Sequence, residues 1–314
     1  MFNSQPVFSK QPALVKLLVL ILLILLCTFI SFFISVLLAV PFFGKQMLDV
    51  FTGGIDLMDS GNIGLMKFLQ MASQVGIFIF PSLIFSWLAF GNIEKSLALH
   101  KFPSVQTLIL TTILIYSMLP GIQLLIQFNE NLQLPDFMKG IEAWMIAKEA
   151  EAARLTEAFL DTASFGGLAV NFFMIGILAA IGEELLFRAV LIRLLVDWTK
   201  NKHLAVIISS VVFSAFHLQF YGFVPRFVLG LLFGYLFLWS GTVWLPIAAH
   251  LLNNGSAVII SFLAKRGFLS VDAEKFGTVD NLPLLLASIV LTIAVLIGIY
   301  FSENQQKFRK LYHF

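Results

Sequence analysis

The sequence is poor in cysteine and in charged side chains, and both shortages limit what the protein can be. Only one cysteine, Cys27, occurs among the 314 residues, so an intrachain disulfide is excluded and thiol chemistry is not expected. Charged residues make up 12% of the chain, against about 25% in a typical soluble domain. The net charge of +2 is too small to indicate a nucleic-acid partner.

Motifs of several common hydrolases are also absent. The chain contains no Gly-x-Ser-x-Gly and no cysteine–histidine arrangement with a usable thiol, so covalent catalysis is disfavoured. His-Glu-x-x-His, the helix motif of many zinc proteases, does not occur. We find no lipidation motif and no internal repeat, and the lack of repeats counts mildly against a transporter with paired halves.

Hydrophobic residues dominate the composition instead. They make up 59% of the chain, against about 45–50% in a soluble domain, and predict a polytopic membrane protein. A span needs about 20 apolar residues, and the candidate segments lie at about 14–40, 65–90, 105–128, 166–193, 204–220, 226–240, 243–264 and 283–301. The first is too long for the apolar part of a cleaved signal peptide, so we expect it to be retained. The predicted fold is an all-α bundle of about eight transmembrane helices.

Basic residues favour the cytoplasmic side of a membrane and therefore predict the topology. With the N-terminus placed inside, 11 of the 20 basic residues fall in inside segments, and 13 of the 18 acidic residues fall outside. This slight asymmetry favours a multi-pass protein of the cell membrane with both termini in the cytoplasm. A tight turn is expected between the fifth and sixth spans, at residues 222–225.

The longest segment between spans, residues 129–164, predicts an amphipathic helix. Apolar residues recur there every three or four positions, and only Lys148 interrupts the stripe. The acidic residues lie mostly off that stripe, as expected for a solvated face. Two interpretations stay open, a surface helix on the bilayer and a lid or substrate gate beside a site.

The strongest local signal is the run Gly182-Glu183-Glu184-Leu185-Leu186-Phe187-Arg188, which lies inside the fourth predicted span. Charged side chains within a span are costly, and for that reason they usually serve a function. Glu184 and Arg188 are four residues apart on one helix face, where they can form an ion pair. Glu183 is rotated by about 100° and keeps its oxygens free.

Two later spans repeat the four-residue spacing. Phe213 precedes His217 in the fifth span, and His250 precedes Asn254 in the seventh. Glu183 and His217 lie at equal distances from the connecting loop, so antiparallel helices would place them at similar depth. His250 lies about 7 Å too close to the start of its span by the predicted boundaries. The polar side chains nevertheless predict one buried site formed by three spans.

These side chains can activate water in two ways. In the first, Glu183 acts as a general base while His250 and Asn254 donate hydrogen bonds to a developing oxyanion. In the second, Glu183, His217 and His250 hold one divalent metal such as zinc, with an open coordination position. The residues alone leave both alternatives open, so either one divalent metal or no cofactor is expected.

Together the motifs resemble those of the CPBP family of intramembrane proteases, which comprises CAAX proteases and bacteriocin-processing enzymes and is also called the Abi family. The family pattern is Glu-Glu-x-x-x-Arg, then Phe-x-x-x-His, then His-x-x-x-Asn or Asp. This sequence matches the pattern at Glu183, Glu184 and Arg188, at Phe213 and His217, and at His250 and Asn254. The match lies within residues 165–260, about a third of the chain.

The resemblance implies an all-helical bundle with its site in a cavity inside the membrane. In the metal-free description of the family, it assigns water activation to Glu183 and His217 and an oxyanion hole to His250 and Asn254. A metalloprotease description of the family also exists. The remaining motif residues have supporting roles: Glu184, Arg188 and Phe213. The implied substrate is a membrane-associated peptide or protein, and a CAAX-like or prenylated substrate is one form of it that cannot be assumed.

We therefore expect three parts, which are 1–164 with the N-terminal spans and the amphipathic segment, 165–264 as the catalytic core, and 265–314 as the last span and a cytoplasmic tail. The expected activity is that of an intramembrane endopeptidase. Two rival hypotheses are a proton-coupled transporter, since intramembrane Glu, His and Arg also form relays, and a non-catalytic membrane scaffold. The lipid bilayer is an expected partner, and the oligomeric state stays open.

Overall fold

The protein is almost entirely helical in a computed structural model, which describes residues 6–44, 47, 50, 60–132, 134–270 and 275–312. No β-strand occurs in these residues, in agreement with the all-α prediction. The main helices are α1 (Ala13–Phe43), α2 (Ile63–Phe90), α3 (Val105–Glu130), α4 (Lys139–Leu160), α5 (Phe165–Thr199), α6 (Lys202–Phe216), α7 (Phe223–Ser240), α8 (Trp244–Lys265) and α9 (Leu282–Tyr312). Short helical turns also occur at Ser60–Asn62, Ile93–Ser96 and Asp136–Met138.

The apolar helices confirm a multi-pass membrane protein. Seven of the described helices have the length and hydropathy to cross a membrane, and α6 is a shorter apolar helix of 15 residues. These helices correspond to the predicted spans, with ends that differ by a few residues. Leu25 and Phe29 of α1 are both 63% exposed. Such a broad apolar outer face is expected of a helix that contacts lipid.

The connection between α6 and α7 differs from the prediction. The turn expected at 222–225 lies instead at residues 217–222, because α6 ends at Phe216 and α7 begins before the proline. Pro225 falls in the first turn of α7, where its missing N–H breaks no helical hydrogen bond. His217 therefore lies at the C-terminal end of α6 and not within a longer helix.

The predicted amphipathic segment forms α4, between α3 and α5. It contacts the loop after α6 at two points. The backbone N–H of Tyr221 donates to Glu149 Oε2 at 3.4 Å, and the rings of Trp144 and Phe220 lie 5.1 Å apart. This helix therefore lies against the loop that begins at His217.

Glycines allow the central helices to approach one another closely. Helix α5 crosses α8 where Gly176 faces Gly255, and a Cβ at Gly255 would lie 2.8 Å from a ring of α5. Gly230 and Gly234 likewise allow α7 to approach α6 closely. A Cβ at Gly234 would lie 2.8 Å from Val206 of α6. Small residues at this spacing commonly permit such close approach between membrane helices. The close crossings bring backbone and side chains of four helices, α5 to α8, together around the motif residues.

Candidate active site

The helix that carries the two glutamates is not a regular α-helix. Wider π-type turns at Phe172–Leu178 and Leu185–Ile192 flank a short α-helical piece, Ala179–Glu184. Such turns are rare and often occur at functional sites. At Gly182, just before the glutamates, a Cβ would lie 3.0 Å from Phe78 of α2. The close approach of α2 therefore covers the helix backbone at the point where its acidic residues begin.

Glu184 and Arg188 form the ion pair that their spacing predicted. Arg188 Nη1 donates to Glu184 Oε1 at 2.9 Å, and both side chains are completely buried. Arg188 also donates from Nη2 to the carbonyl oxygen of Gly230 at 3.4 Å, and its guanidinium lies 4.4 Å from the ring centre of Phe213. A buried charge needs such partners. Glu184 is thus held by a structural cation, and Phe213 covers that cation.

His250 joins this pair to the second motif carboxylate. Its Nδ1 lies 2.8 Å from Glu184 Oε1, and its Nε2 lies 3.9 Å from Glu183 Oε2. Because an ionised carboxylate can only accept, His250 is the donor from Nδ1. In the neutral ring, Nε2 then carries a lone pair.

Asn254 occupies that lone pair. Its Nδ2 donates to His250 Nε2 at 3.0 Å and to the carbonyl oxygen of Ile175 at 3.1 Å. Its Oδ1 accepts from Asn253 Nδ2 at 3.0 Å. Three partners therefore fix which end of the Asn254 amide faces the histidine.

Glu183 differs from its neighbour in forming no ion pair with Arg188 and in being 11% exposed, whereas the Glu184 side chain is completely buried. Glu183 is still largely buried, yet its Oε2 accepts no hydrogen bond from any described residue. Burial without a donor is costly for a carboxylate, and groups of this kind cluster at functional sites. Glu184 Oε2 is likewise without a donor among the described residues, so the two carboxylates differ in their ion pairing and exposure.

His217 is half-buried at the end of α6, whereas His250 lies within α8. Its Nδ1 lies 2.9 Å from the carbonyl oxygen of Phe213 and donates to it, since a carbonyl only accepts. The neutral ring therefore presents an unprotonated Nε2. The ring centre of Phe213 lies 5.2 Å from that of His217 and 6.2 Å from that of His250, so both histidines lie beside the same phenylalanine. The structure thus brings the four polar residues of the predicted site together.

The direct contacts of His250 correct the depth estimate from the sequence. Helix α8 begins inside the protein, because Thr242 and Val243 just before it are completely buried. Thr242 Oγ1 donates to the carbonyl oxygen of Ala98 at 3.2 Å, which anchors this helix start beneath another loop. Counting residues from the helix end therefore underestimates how deep His250 lies.

The described side chains do not fit the zinc alternative, in which Glu183, His217 and His250 hold a metal. A ligand must offer a lone pair, but His250 donates from Nδ1 to Glu184 and accepts at Nε2 from Asn254. In the described part of the chain, no group of three His, Cys, Asp or Glu side chains is arranged to bind one metal ion.

Sequence reasoning missed several residues at the site. The ring of Phe233 stacks on His250, with centres 5.1 Å apart and planes 22° apart. Phe233 lies between the two glycines of α7, but no sequence pattern pairs it with a histidine on another helix. Asn253 stands beside a motif residue, and its role in holding Asn254 depends on side-chain geometry alone.

A cavity of about 500 Å³ lies beside the site. Apolar side chains of α3, α7 and α8 form much of its wall. Its polar lining consists chiefly of Tyr116, Gln123, Glu149, Arg226, Asn253 and Ser256. None of the motif residues lines the cavity, but Asn253 does, and it hydrogen-bonds the motif residue Asn254.

Comparisons with known proteins match the central part of the chain. A family model described as "Type II CAAX prenyl endopeptidase Rce1-like" matches residues 165–256. A protein of Bacillus subtilis strain 168 that carries a membrane-peptidase name, YdiL, is 31% identical over 130 residues, or 41% of this chain and 51% of that protein. The membrane-embedded CAAX protease MroQ of Staphylococcus aureus strain USA300 is 31% identical over 97 residues, or 29% of this chain and 39% of that protein.

The chain thus spans about half the length, or less, of these curated relatives. No solved structure gives a significant match. All the motif residues, from Glu183 to Asn254, lie within the segment that the family model covers. Residues 165–256 are therefore similar to the CPBP family of intramembrane proteases, which the three motifs also resemble.

Proposed function

We propose that the chain is an intramembrane endopeptidase that hydrolyses a peptide bond of a membrane-associated peptide or protein. The observation that carries the proposal is the contrast between two adjacent carboxylates. Glu184 Oε1 binds both Arg188 and His250, and the side chain is completely buried, whereas Glu183 accepts no hydrogen bond from any described residue and its side chain is 11% exposed. A general base needs an accessible lone pair and a hydrogen-bonded water within reach.

In this proposal Glu183 and His217 hold the attacking water between them. His217 donates from Nδ1 to the backbone, so its Nε2 accepts one hydrogen bond from the water while Glu183 accepts the other. Glu183 takes a proton as the water oxygen attacks the carbonyl carbon. It returns that proton to the leaving nitrogen when the carbon–nitrogen bond breaks, which yields a carboxylic acid and an amine.

His250 and Asn254 stabilise the oxyanion that forms on the substrate. Asn254 contributes an Nδ2–H that now points at His250. His250 donates from Nε2 only when that atom carries a proton, and Glu184 Oε1, 2.8 Å from Nδ1, orients the ring. Once Nε2 carries a proton, both donors turn to the substrate oxygen, where preorganised donors are most effective.

The neighbouring cavity offers a place for the substrate chain. Its apolar wall suits the hydrophobic residues of a membrane-associated segment, and its polar groups lie on the side of Asn253. A CAAX-like or prenylated substrate is one specific form of this proposal, supported by the names of the matched family and of MroQ. In either form, residues 165–264 act as the catalytic core within the flanking spans of 1–164 and 265–314.

Protein N-termini in cell membranes test this function without a guess about the substrate. Membranes are compared from cells that carry the native chain, Glu183→Gln, or Glu157→Gln at equal abundance. Glu157 lies exposed on α4 and provides the matched control. We expect a set of N-termini that are lost in Glu183→Gln and kept in Glu157→Gln. An identical set in all three membranes, with the gene expressed, would count against a protease.

A further inference from the structure

A second cavity, of about 650 Å³, lies apart from the motif residues, where the N-terminal segment meets the ends of α2 and α5. Pro6 and Ser9 line one side of it, and Ala89 and Phe90 of α2 line another. The remaining wall comes from α1 and from the last two turns of α5. No motif residue contributes to this lining, so the cavity is separate from the candidate active site.

Positive charge exceeds negative charge around this cavity. Lys16, Arg193 and Lys200 line it together with a single carboxylate, Asp197. Asp197 is already shared, since its Oδ2 lies 3.3 Å from Lys16 Nζ and its Oδ1 lies 3.0 Å from Lys200 Nζ. The lining therefore carries a net charge of about +2 at neutral pH, by the ordinary ionisation of these side chains.

Arg193 is the cation whose charge the protein leaves unbalanced. It forms no ion pair with any described residue, and its hydrogen bond to the carbonyl oxygen of Lys95 is long, at 3.5 Å. Its guanidinium lies over the ring of Phe90, 5.6 Å from the ring centre. This contact holds the group in place without neutralising it. Several of its N–H donors therefore stay available to an anion.

The wall formed by the N-terminal segment is a fixed part of the cavity. The backbone N–H of Phe8 donates to the carbonyl oxygen of Leu88 at 3.0 Å, which ties the segment to the end of α2. At Gly91, where φ is +77°, a Cβ would lie 2.9 Å from the ring of Pro6. The segment thus packs directly on a backbone that only glycine allows.

The position of the cavity places it at the membrane interface. Lys16 lies in the first turn of α1, and Lys200 follows the last residue of α5. Helix α1 also presents lipid-type surface beside Lys16, since Leu14 and Leu18 are 52% and 58% exposed. The polar end of a bound molecule would therefore contact the cations of the cavity. Its apolar part would contact the exposed surface of α1.

We propose that this cavity binds a phosphate group, with Arg193 as its main ligand and with Lys16 and Lys200 completing the charge. Basic pockets between membrane-spanning helices are suited to anionic headgroups, and Arg matches the oxygens of a phosphate in a bidentate geometry. The apolar surface of α1 beside the cavity favours the headgroup of an acidic phospholipid as the source of that phosphate.

Native mass spectrometry of the purified full chain in neutral detergent tests the site. The probes are phosphatidylglycerol and phosphatidylcholine, supplied in equal amounts. We expect preferential retention of phosphatidylglycerol, with an affinity about fivefold weaker in Arg193→Gln. Lys200→Gln should show a loss of the same kind, and this variant keeps the fold because Lys200 is exposed at the rim.

Arg266→Gln provides the matched control. Arg266 also lies over an aromatic ring, 5.1 Å from the centre of Phe165, but it does not line this cavity. It should retain phosphatidylglycerol as the native chain does. Equal retention of both lipids with no binding of inorganic phosphate would overturn the proposal. Equal losses in Arg193→Gln and Arg266→Gln, or native retention in both Arg193→Gln and Lys200→Gln, would overturn it as well.

Inorganic phosphate and glycerol phosphate distinguish the two sources of the ligand. If neither compound displaces bound phosphatidylglycerol from the protein, the ligand is a lipid headgroup. Tight binding of inorganic phosphate alone, lost in Arg193→Gln, identifies free phosphate. Both results support a phosphate site, because the same cations are required in each.

Discussion

At the scale of single residues, the site depends on what surrounds two identical side chains. Glu183 and Glu184 are adjacent, but helical rotation sends them to different neighbours. Glu184 binds a guanidinium and an imidazole through Oε1, whereas Glu183 accepts no hydrogen bond from any described residue and is 11% exposed. One carboxylate therefore holds the structure together, and we assign the chemistry to the other.

Replacing each glutamate by glutamine should separate these roles. Glu184→Gln leaves Arg188 buried without its counter-charge, so we expect a loss of about 3–5 kcal/mol in the free energy of unfolding. Glu183→Gln removes no ion pair from Arg188 and should keep stability near that of the native chain. Denaturant or thermal unfolding of both variants in the same detergent measures the difference. Equal losses in the two variants would contradict this division.

Asn254 and Asn253 allow a second comparison between neighbours. Asn254→Ala removes a proposed oxyanion donor, so kcat should fall by about 10²–10³ with KM little changed. Asn253→Ala removes the group that orients Asn254 and one polar group of the cavity lining, and we expect a fall in kcat of less than about tenfold. Steady-state rates on a substrate peptide decide the matter. A larger effect of Asn253→Ala than of Asn254→Ala would refute the assigned roles.

At the scale of helices, the sequence predicted which side chains share one face of a helix. It predicted less well how one helix is placed against another. The pairing of Glu184 with Arg188 follows from local periodicity, and it holds even though π-type turns begin at the next residue. The depth of His250 depends instead on the buried start of α8, which another loop fixes. The stacking of Phe233 on His250 requires two helices to be placed first, so no local pattern could predict it.

The crossing of α5 and α8 provides a test at this scale. Gly255→Ala would place a Cβ 2.8 Å from the ring of Phe172, so the helices must separate or the ring must move. We expect a loss of stability of about 1–3 kcal/mol and reduced activity, because Asn254 would shift relative to the backbone of Ile175.

Gly121→Ala is the control for that substitution. Gly121 lies within α3, and a Cβ there would meet nothing within 4 Å. Alanine also has a higher helix propensity than glycine, so this variant should be as stable as the native chain or slightly more stable. Unfolding and cleavage rates should be measured for both variants. A Gly255→Ala protein with native stability and activity would show that the close crossing is not needed.

At the scale of the whole molecule, the bundle buries a polar cluster among apolar spans and keeps a cavity beside it. The sequence predicted the membrane architecture because hydrophobic runs of this length have few alternatives. It could not predict the cavity, since Tyr116 of α3, Arg226 of α7 and Asn253 of α8 meet only in three dimensions.

Removal of metal tests the chemistry of the whole protein. Both ring nitrogens of His250 already have hydrogen-bond partners, so we expect activity to survive chelation in protein purified without added metal. Zinc content and cleavage rate should be measured together before and after treatment. Loss of activity on chelation, with recovery on adding zinc back, would contradict a reaction without metal.

The central claim is that Glu183 activates the water that cleaves the peptide bond. Its most direct test is the cleavage rate of the purified, reconstituted chain on a peptide that spans a junction found among the membrane N-termini. We predict that Glu183→Gln lowers kcat by at least about 10² while Glu157→Gln leaves it unchanged. A Glu183→Gln protein that cleaves within about twofold of the native rate would show that Glu183 is not the base.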